Sequence, residues 1–409
     1  MKVCVFTLGC KTNYYESQQI VWQLTQKGHQ VTTKFADCDV VIINSCAVTK
    51  EAEKKSRQAI ARARAKSPNA KVIVVGCASE KDSAQFDGNL TVGNVQKTDV
   101  INYLDKEGNV KLDFPTTYQK DCPALQGRTR AYVKIQEGCN NFCTYCIVPY
   151  LRGRSRSKLV EDVVNEVKNI VAEEIVITGI DISQYGKDTN QSLEQLFFEL
   201  SRVTKARIRL GSLEPRAITK DLLFALSRLN FCPHFHLSLQ SGCDATLKRM
   251  NRHYTTEEYL SAVNEIRKVF PDCAITCDVI VGFSGETDEE FQKTVDFVKK
   301  CGFADIHVFP YSKREGTVAY KWQDVDGIIK KQRADALARV KEQLKSQYLN
   351  AQIGKVSSVL LEQRKDGFMQ GYTPQYVKVY TSGGQSGKTV TVKIDGLYKD
   401  GVKATEVKQ

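Results

Sequence analysis

The chain has 409 residues, of which 42% are hydrophobic, and 59 Lys and Arg against 47 Asp and Glu give a formal net charge of +12. This length and composition predict two or three domains with apolar cores, and they exclude a disordered, collagen-like or purely repetitive chain. The positive charge favours a polyanionic partner, with nucleic acid ahead of membrane because no basic amphipathic anchor is present.

Long apolar runs are absent and cysteines are abundant. No apolar run approaches the roughly 18 to 20 residues that cross a bilayer, and the first residues resemble a strand, not a signal sequence. We therefore expect a cytoplasmic protein with no membrane partner. In such a chain the 14 cysteines indicate metal, redox or catalytic chemistry, since disulfide frameworks belong mainly to secreted proteins.

The first part of the chain alternates β-branched runs with amphipathic stretches. The predicted strands are 3–8, 40–44 and 71–75, and the predicted helices are 13–27 and 51–66. Strands and helices that alternate at this spacing form a parallel sheet. The sequence therefore predicts an α/β domain over 1–114, followed by a proline-containing linker over 115–127.

A second series of strand and helix units follows the linker. The predicted strands are 131–136, 174–178, 207–210, 235–239, 274–281 and 306–310. The predicted helices are 159–172, 193–202, 255–269 and 287–300. These six units predict a partial (β/α)6 TIM-like barrel. With one long helix over 327–350, the barrel makes up residues 128–350 of an α/β multidomain protein.

The last part of the chain has a different sequence pattern. Short alternating runs such as 356–362 and 390–394 are broken by glycine turns, which predicts a small all-β barrel over 351–409. Its aromatic residues are Phe368, Tyr372, Tyr376, Tyr380 and Tyr398. Small β-barrels can bind single-stranded RNA by stacking bases on such rings, although some of the rings must fill the core.

Three cysteines directly after the first predicted barrel strand form a C-x3-C-x2-C pattern, and we call Cys139, Cys143 and Cys146 the central triplet. Thiolates ligate iron-sulfur clusters, and a loop this short can direct three of them to one cluster. A zinc or ferredoxin-type site takes four protein ligands, so one iron would stay open here. The alternatives are a zinc loop completed by a distant Cys or His, or three unrelated core cysteines.

Three further cysteines, the N-terminal triplet, are Cys10, Cys46 and Cys77, and each follows a predicted parallel strand by one to three residues. Open α/β sheets place their ligand sites at that edge, so we predict a second three-thiolate cluster. Each could alternatively be an ordinary buried thiol. The other eight cysteines are assigned to packing: Cys4, Cys38, Cys122, Cys232, Cys243, Cys273, Cys277 and Cys301.

Together the two triplets and the domain order resemble the radical-SAM methylthiotransferases. That family has an N-terminal domain with an auxiliary cluster, a radical-SAM barrel and a C-terminal TRAM barrel that grips the substrate. Segments 7–17, 44–57 and 149–157 are most similar to the branch that adds a methylthio group to C2 of N6-threonylcarbamoyladenosine at position 37 of tRNA. The sister branches act on isopentenyladenosine in tRNA and on an aspartate of a ribosomal protein.

The resemblance implies two [4Fe-4S] clusters and S-adenosyl-L-methionine as cofactors, with all six triplet cysteines as catalytic ligands. One molecule of S-adenosylmethionine would methylate a sulfide on the auxiliary cluster of the N-terminal triplet. A second, bound at the central triplet, would supply the 5′-deoxyadenosyl radical that removes hydrogen from the substrate carbon. The cofactor carries this difficult step while the protein orients and shields the reactants.

The resemblance also places Tyr145 against the adenine of S-adenosylmethionine. The other cofactor-binding candidates lie at the carboxyl ends of predicted barrel strands, where TIM barrels place their sites. They are Thr178, Gly179, Ser212, Glu214 and Gln240. Their alternative role is that of ordinary polar groups at strand ends.

A basic segment directly after the central triplet is the candidate RNA contact, and it contains Arg152, Arg154, Arg156 and Lys158. At the barrel mouth these side chains would clamp tRNA phosphates, and the alternative is a solvated basic segment. We expect a monomer whose partners are the tRNA anticodon stem-loop, an electron donor such as flavodoxin or ferredoxin, and a sulfur donor that the sequence does not identify. The rival class is a non-catalytic iron-sulfur protein that binds RNA or senses redox state.

Overall fold

The computed structural model describes residues 1–86, 88–119, 123–124 and 129–407. Cys122 lies outside the described residues, and so do residues 120–121 and 125–127 of the predicted linker 115–127. Within the described part, no helix combines the length and the apolar character needed to cross a lipid bilayer.

The N-terminal part is a six-stranded parallel sheet in the order β2-β1-β3-β4-β5-β6. Its strands are β1 (Lys2–Thr7), β2 (Gln30–Thr32), β3 (Val40–Ser45), β4 (Lys71–Gly76), β5 (Leu90–Val92) and β6 (Gly108–Val110). Its helices are α1 (Lys11–Gln26), α2 (Lys50–Lys66) and α3 (Cys77–Lys81). The predicted parallel sheet is confirmed. Strands β2, β5 and β6 were not predicted, because three residues are too few to show a period.

Both faces of this sheet are covered, which explains why its central strands are continuous apolar runs. Every residue of β3 is buried. Val3 and Val5 of β1 belong to the core cluster on one face, and Cys4 belongs to the cluster on the other. Helix α1 contributes to the first cluster and helix α2 to the second. A parallel sheet buried on both sides reads as an unbroken apolar sequence, as observed here.

The central part contains the predicted series of parallel strands. They are β7 (Arg130–Glu137), β9 (Glu174–Gly179), β10 (Arg207–Leu210), β11 (Ser212–Leu213), β12 (His234–Gln240), β13 (Ala274–Val281) and β14 (Asp305–Pro310), with β8 (Arg156–Ser157) antiparallel to β7. They form two sheets, β10-β9-β7-β8 and β11-β12-β13-β14. The hydrogen-bonded ladder is therefore not continuous through six strands. The chain changes pairing partner at Gly211, whose N–H donates to the Ile177 carbonyl at 2.8 Å.

Helices separate these strands along the chain. They are α4 (Val148–Arg152), α5 (Val160–Lys168), α6 (Leu193–Val203), α7 (Lys220–Ser227), α8 (Asp244–Arg249), α9 (Thr256–Val269), α10 (Asp288–Cys301) and α11 (Gly327–Asn350). Capping boxes begin α9 at Thr255 and α10 at Thr287. Along β12, Phe235 and Leu237 join the main apolar core. The intervening His236 is half-buried and faces a cavity, so alternation along one strand gives an apolar outside and a polar inside.

A buried ionic cluster closes the amino ends of the barrel strands. The carboxylate of Glu174 is fully buried and accepts from Arg130, Arg207 and Arg209 at 2.5 to 2.9 Å. Arg209 also donates to the Pro374 carbonyl at 3.0 Å. This cluster joins the barrel to the C-terminal part, because an arginine fork can bind a carboxylate and backbone carbonyls together.

The C-terminal part is an all-β barrel whose strands pair in the closed order β15-β16-β17-β19-β18. Its strands are β15 (Val356–Lys365), β16 (Phe368–Tyr372), β17 (Lys378–Thr381), β18 (Thr389–Tyr398) and β19 (Gly401–Glu406). Phe368, Tyr380 and Tyr398 pack against one another. Tyr372 and Tyr376 instead stack in parallel at 4.6 Å and line the cavity next to the central barrel.

Candidate active site

The N-terminal triplet lies at one edge of the N-terminal sheet. Strands β1, β3 and β4 are adjacent and parallel, so their carboxyl ends meet there. Cys10 is the residue before α1, Cys46 follows β3, and Cys77 begins α3. Burial and the negative charge of Cys77 raise the pKa of Cys46 to about 11, with a smaller contribution from Cys10. The three thiols therefore share one electrostatic environment.

Glycines before two of these cysteines permit the close approach. Gly9 has a φ of +99°, and a Cβ there would lie 2.9 Å from the Cβ of Cys46. Gly76 has the same φ, and a Cβ there would lie 2.6 Å from Asn44 Oδ1. A larger residue would be strained at either position, and its Cβ would collide with Cys46 at position 9 and with Asn44 at position 76. The glycines keep the N-terminal triplet together.

The loop of the central triplet is anchored by backbone and side-chain hydrogen bonds. Thr144 donates its N–H to the Met250 carbonyl at 3.1 Å and its hydroxyl to the Arg249 carbonyl at 2.8 Å. The fully buried Gln136 donates to the Gly138 carbonyl at 2.7 Å and accepts from the Asp181 N–H at 2.7 Å. Gln136 thus joins the loop to the end of β9. Sequence reasoning missed this residue, because a glutamine inside a strand carries no motif.

Each triplet receives a hydrogen bond from one arginine. Arg152 Nε donates to Cys77 Sγ at 3.4 Å, and Arg252 Nη1 donates to Cys143 Sγ at 3.2 Å. A neighbouring guanidinium favours the thiolate, which is the form that ligates metal. Burial opposes the thiolate form. Burial and the negative charge of Cys143 together raise the pKa of Cys146 to about 12. Metal binding must therefore displace thiol protons.

The spacing of the sulfur atoms tests whether the triplets fit a single ion or a cluster. Four thiolates around one zinc lie about 3.8 Å apart, because tetrahedral Zn–S bonds are about 2.3 Å long. Among the described residues, neither triplet has all three sulfurs within 4.8 Å of one another. As they stand, the triplets are therefore too open to hold a single zinc ion. The soft donor set fits iron-sulfur chemistry as well.

A cavity of about 850 Å³ lies between the N-terminal sheet, the central strands and the C-terminal barrel. Cys10 lies in its wall, and so do three of the predicted cofactor-binding residues, Thr178, Gly179 and Ser212. The structure therefore brings the carboxyl ends of β9 and β10 to the same space as the N-terminal triplet.

The other three cofactor-binding candidates lie outside the wall of this cavity. Glu214 accepts from Asn141 Nδ2 at 2.9 Å and from Arg252 at 2.7 Å, so it lies beside the central triplet. Gln240 ends β12 with a φ of +67°. Tyr145 packs edge-on against Phe283 at 6.2 Å.

Two sequence families match the chain in separate regions. Residues 133–298 match the radical SAM superfamily, and residues 2–94 match a family described as uncharacterized protein family UPF0004. The first match contains the central triplet and the second contains the N-terminal triplet.

Named relatives match this chain over nearly its whole length. The threonylcarbamoyladenosine tRNA methylthiotransferase MtaB of Bacillus subtilis is 38% identical and covers 96% of this chain and 93% of its own. The protein of that name from Thermotoga maritima is 37% identical, with coverage of 98% and 96%. The tRNA-2-methylthio-N(6)-dimethylallyladenosine synthase of Thermoanaerobacter sp. (strain X514) is 32% identical, with coverage of 95% and 89%.

The chain belongs to the radical-SAM tRNA methylthiotransferases. A solved structure supports the fold of the radical-SAM part. The radical S-adenosylmethionine methyltransferase TsrM from Kitasatospora setae, with cobalamin and a [4Fe-4S] cluster bound, has a TM-score of 0.55 at 13% identity and covers 76% of this chain and 74% of its own.

The basic segment of this methylthiotransferase does not form the predicted phosphate clamp. Arg152, Arg156 and Lys158 are only 2%, 4% and 8% exposed. Arg156 donates to the carbonyls of Arg152 and Arg154, and Lys158 binds Glu166 at 2.6 Å. The prediction is wrong for these three residues, because their donors are already used inside the protein.

Arg154 is the exposed member of this segment and lies over the Phe142 ring at 4.4 Å. Its neighbour in sequence, Arg152, instead belongs to a buried charge cluster between the N-terminal sheet and the barrel. There it contacts Glu137 at 2.7 Å and Glu16 at 3.1 Å. Lys97 and Lys134 also bind Glu16. Sequence reasoning missed this cluster, since its members lie up to 136 residues apart.

A histidine and aspartate group lies in the wall of the methylthiotransferase cavity. Asp278 accepts from His236 and from His307, each at 3.1 Å. The hydrogen bond to Asp278 raises the pKa of His307. Burial favours a neutral Asp278, but the two histidines outweigh it and lower the pKa of that carboxyl.

This arrangement gives a pH-dependent prediction. The stabilisation from charged His307 is fully present below about pH 6.5, where the unfolded imidazole is also charged, and is lost as the pH rises through the folded-state pKa. We expect Asp278→Asn to lower the pKa of His307 in an NMR titration of its ring proton. Asp305→Asn is the matched control, because Asp305 acts on His307 by charge alone, and it should lower the pKa less. Equal shifts in both variants would refute the hydrogen bond as cause.

Proposed function

We propose that this enzyme transfers a methylthio group to C2 of N6-threonylcarbamoyladenosine at position 37 of tRNA, using two [4Fe-4S] clusters held by the N-terminal and central triplets. One observation carries the proposal. Cys10 and the strand-end residues Thr178, Gly179 and Ser212 line a single cavity. A substrate base in that cavity would lie beside both the N-terminal triplet and the strand ends proposed to bind S-adenosylmethionine, as a reaction with two cofactor roles requires.

The cofactors would supply the radical chemistry and the sulfur when bound, and the chain's own residues would hold and orient them. Arg152 and Arg252 would stabilise thiolates of the two triplets through the hydrogen bonds described above. Gln136 would fix the loop of the central triplet against β9. The strand-end residues and Tyr145 remain our candidates for binding S-adenosylmethionine.

The C-terminal barrel is proposed to be a TRAM domain that holds the tRNA anticodon stem-loop. The stacked Tyr372 and Tyr376 support this, because they face the cavity and planar rings can stack on unpaired bases. Arg130 and Arg209 lie over the Tyr376 ring at 5.8 and 4.7 Å, which adds positive charge beside this surface. Arg154 is the remaining phosphate-contact candidate of the basic segment.

The names of relatives favour this substrate over its sister. Relatives named for threonylcarbamoyladenosine are 32 to 38% identical to this chain, and relatives named for dimethylallyladenosine are 32% identical. Isopentenylated tRNA and a ribosomal-protein aspartate stay as alternative targets. We further propose that the enzyme works as a monomer in the cytoplasm, where tRNA is available, with flavodoxin or ferredoxin as electron donor.

Mass spectrometry of tRNA nucleosides tests the proposed substrate. Cells that lack the protein should lose the methylthio nucleoside and accumulate plain threonylcarbamoyladenosine. Expression of the intact chain should restore the methylthio form, whereas Cys139→Ala should not, because the central triplet would lose a ligand. Unchanged methylthio-threonylcarbamoyladenosine in the deletion strain would reject this substrate. A loss confined to the isopentenyl nucleoside would support the sister assignment instead.

A further inference from the structure

The lysines in the wall of the active-site cavity differ in whether they form ion pairs with carboxylates. The lysines in its wall are Lys11, Lys345 and Lys378. Lys345 lies 3.3 Å from Asp305, and Lys378 lies 3.0 Å from Asp400. Two of the three cations are thus neutralised by carboxylates that line the same cavity.

Lys11 has no such partner. None of the described residues forms a hydrogen bond or an ion pair with its ammonium group, and the first turn of α1 carries no acidic residue. The nearby positive charges of Arg130 and Arg209 add to its own. Glu174 is the acidic group that acts on Lys11, but it is already bound by three arginines. This corner of the cavity therefore carries uncompensated positive charge.

Lys11 is exposed to the space of the cavity, so its ammonium group is available to an anion that enters. The position of Lys11 matters, because this residue directly follows Cys10 of the N-terminal triplet and begins α1. An anionic group bound to Lys11 would hold the rest of its molecule beside that triplet.

We propose that Lys11 binds the carboxylate of the threonylcarbamoyl group and so makes negative charge on the N6 substituent a condition for efficient modification. This inference rests on the proposed function. A dimethylallyl substituent has no charge, so it would displace water from the Lys11 ammonium group without offering a counter-charge. Discrimination then comes from the unpaired cation as well as from the favourable contact.

The test compares two anticodon stem-loop RNAs that differ in one group. Residue 37 carries the threonylcarbamoyl group either with its free carboxylate or as the primary amide, which has the same size and no charge. We measure the Kd of each RNA and, separately, kcat/KM for methylthio transfer. The intact enzyme should bind the carboxylate RNA roughly ten- to a hundredfold more tightly, as expected for a charged hydrogen-bonded pair.

Lys11→Met should remove this preference, and Lys11→Arg should keep most of it. Lys345→Met is the matched control, because it removes another cavity lysine while Lys341 stays 3.4 Å from Asp305. Its preference should equal that of the intact enzyme. Iron content and the visible absorption spectrum of each variant establish that the neighbouring Cys10 still holds its cluster.

Two results would overturn the inference: equal Kd values for both RNAs in the intact enzyme, or an undiminished preference in Lys11→Met. Failure of the proposed function looks different. In that case neither RNA receives a methylthio group, although a Lys11-dependent difference in Kd still supports a carboxylate-binding lysine.

Discussion

Cys77→Ala should abolish methylthio transfer while leaving the reductive cleavage of S-adenosylmethionine intact. In the proposed function Cys77 ligates the auxiliary cluster, so its loss would remove a ligand from that cluster alone. Cys139→Ala should abolish both reactions, because in the proposed function the cleavage occurs at the central triplet. After anaerobic reconstitution, each variant should hold about four iron atoms per chain against about eight in the intact protein. Iron analysis and quantification of 5′-deoxyadenosine and modified RNA check this.

Cys38→Ala is the control for this pair of variants. Cys38 is a buried cysteine of the same N-terminal part, and its thiol contacts the carbonyls of Lys34 and Ala36 at 3.4 Å. The variant should keep all the iron and both activities. Zinc in the intact protein, or equal loss of cleavage in Cys77→Ala and Cys139→Ala, would contradict the assignment of two separate centres.

Arg152→Met should destabilise the protein by about 3–5 kcal/mol, because it leaves the buried Glu16 and the half-buried Glu137 with fewer positive partners. Arg152 also donates to Cys77, so its loss should shift the reduction potential of the auxiliary cluster to a more negative value. Although burial opposes the charge, Cys77, Glu137 and Glu16 together raise the pKa of Arg152, so the guanidinium stays charged. Denaturant unfolding and potentiometric EPR measure the two effects.

Arg154→Met is the matched control, two residues further along the chain. Arg154 is exposed, so the free energy of unfolding should change by no more than about 1 kcal/mol. This variant should instead weaken tRNA binding and flatten its salt dependence, if Arg154 contacts phosphate. A stable Arg152→Met protein that has lost tRNA affinity would instead support a direct contact between Arg152 and tRNA phosphate, which the buried position of Arg152 argues against.

The order of the secondary structure could be predicted from sequence because its signals are local. The run of β-branched residues in β3 and the strand-like stretches of β7 and β13 were found within one or two residues of their ends. The same logic placed Cys10, Cys46 and Cys77 at one sheet edge, since parallel strands of known order share the direction of their carboxyl ends. The two cysteine triplets are therefore recognisable from the sequence alone.

Tertiary structure alone decided which polar residues face the site. Arg152 and Arg154 look alike in sequence, yet one is buried on Glu16 and the other is exposed, because long-range pairing and not local spacing sets the burial of a charge. The same applies to Lys11, whose missing counter-ion depends on Glu174 being occupied by arginines from β7 and β10. Periodicity and motif spacing predicted the order of the folded elements and the candidate cluster ligands of this chain. The charge balance around those residues came from contacts between segments that are distant in the sequence, such as Arg152 with Glu16, and no local pattern records such contacts.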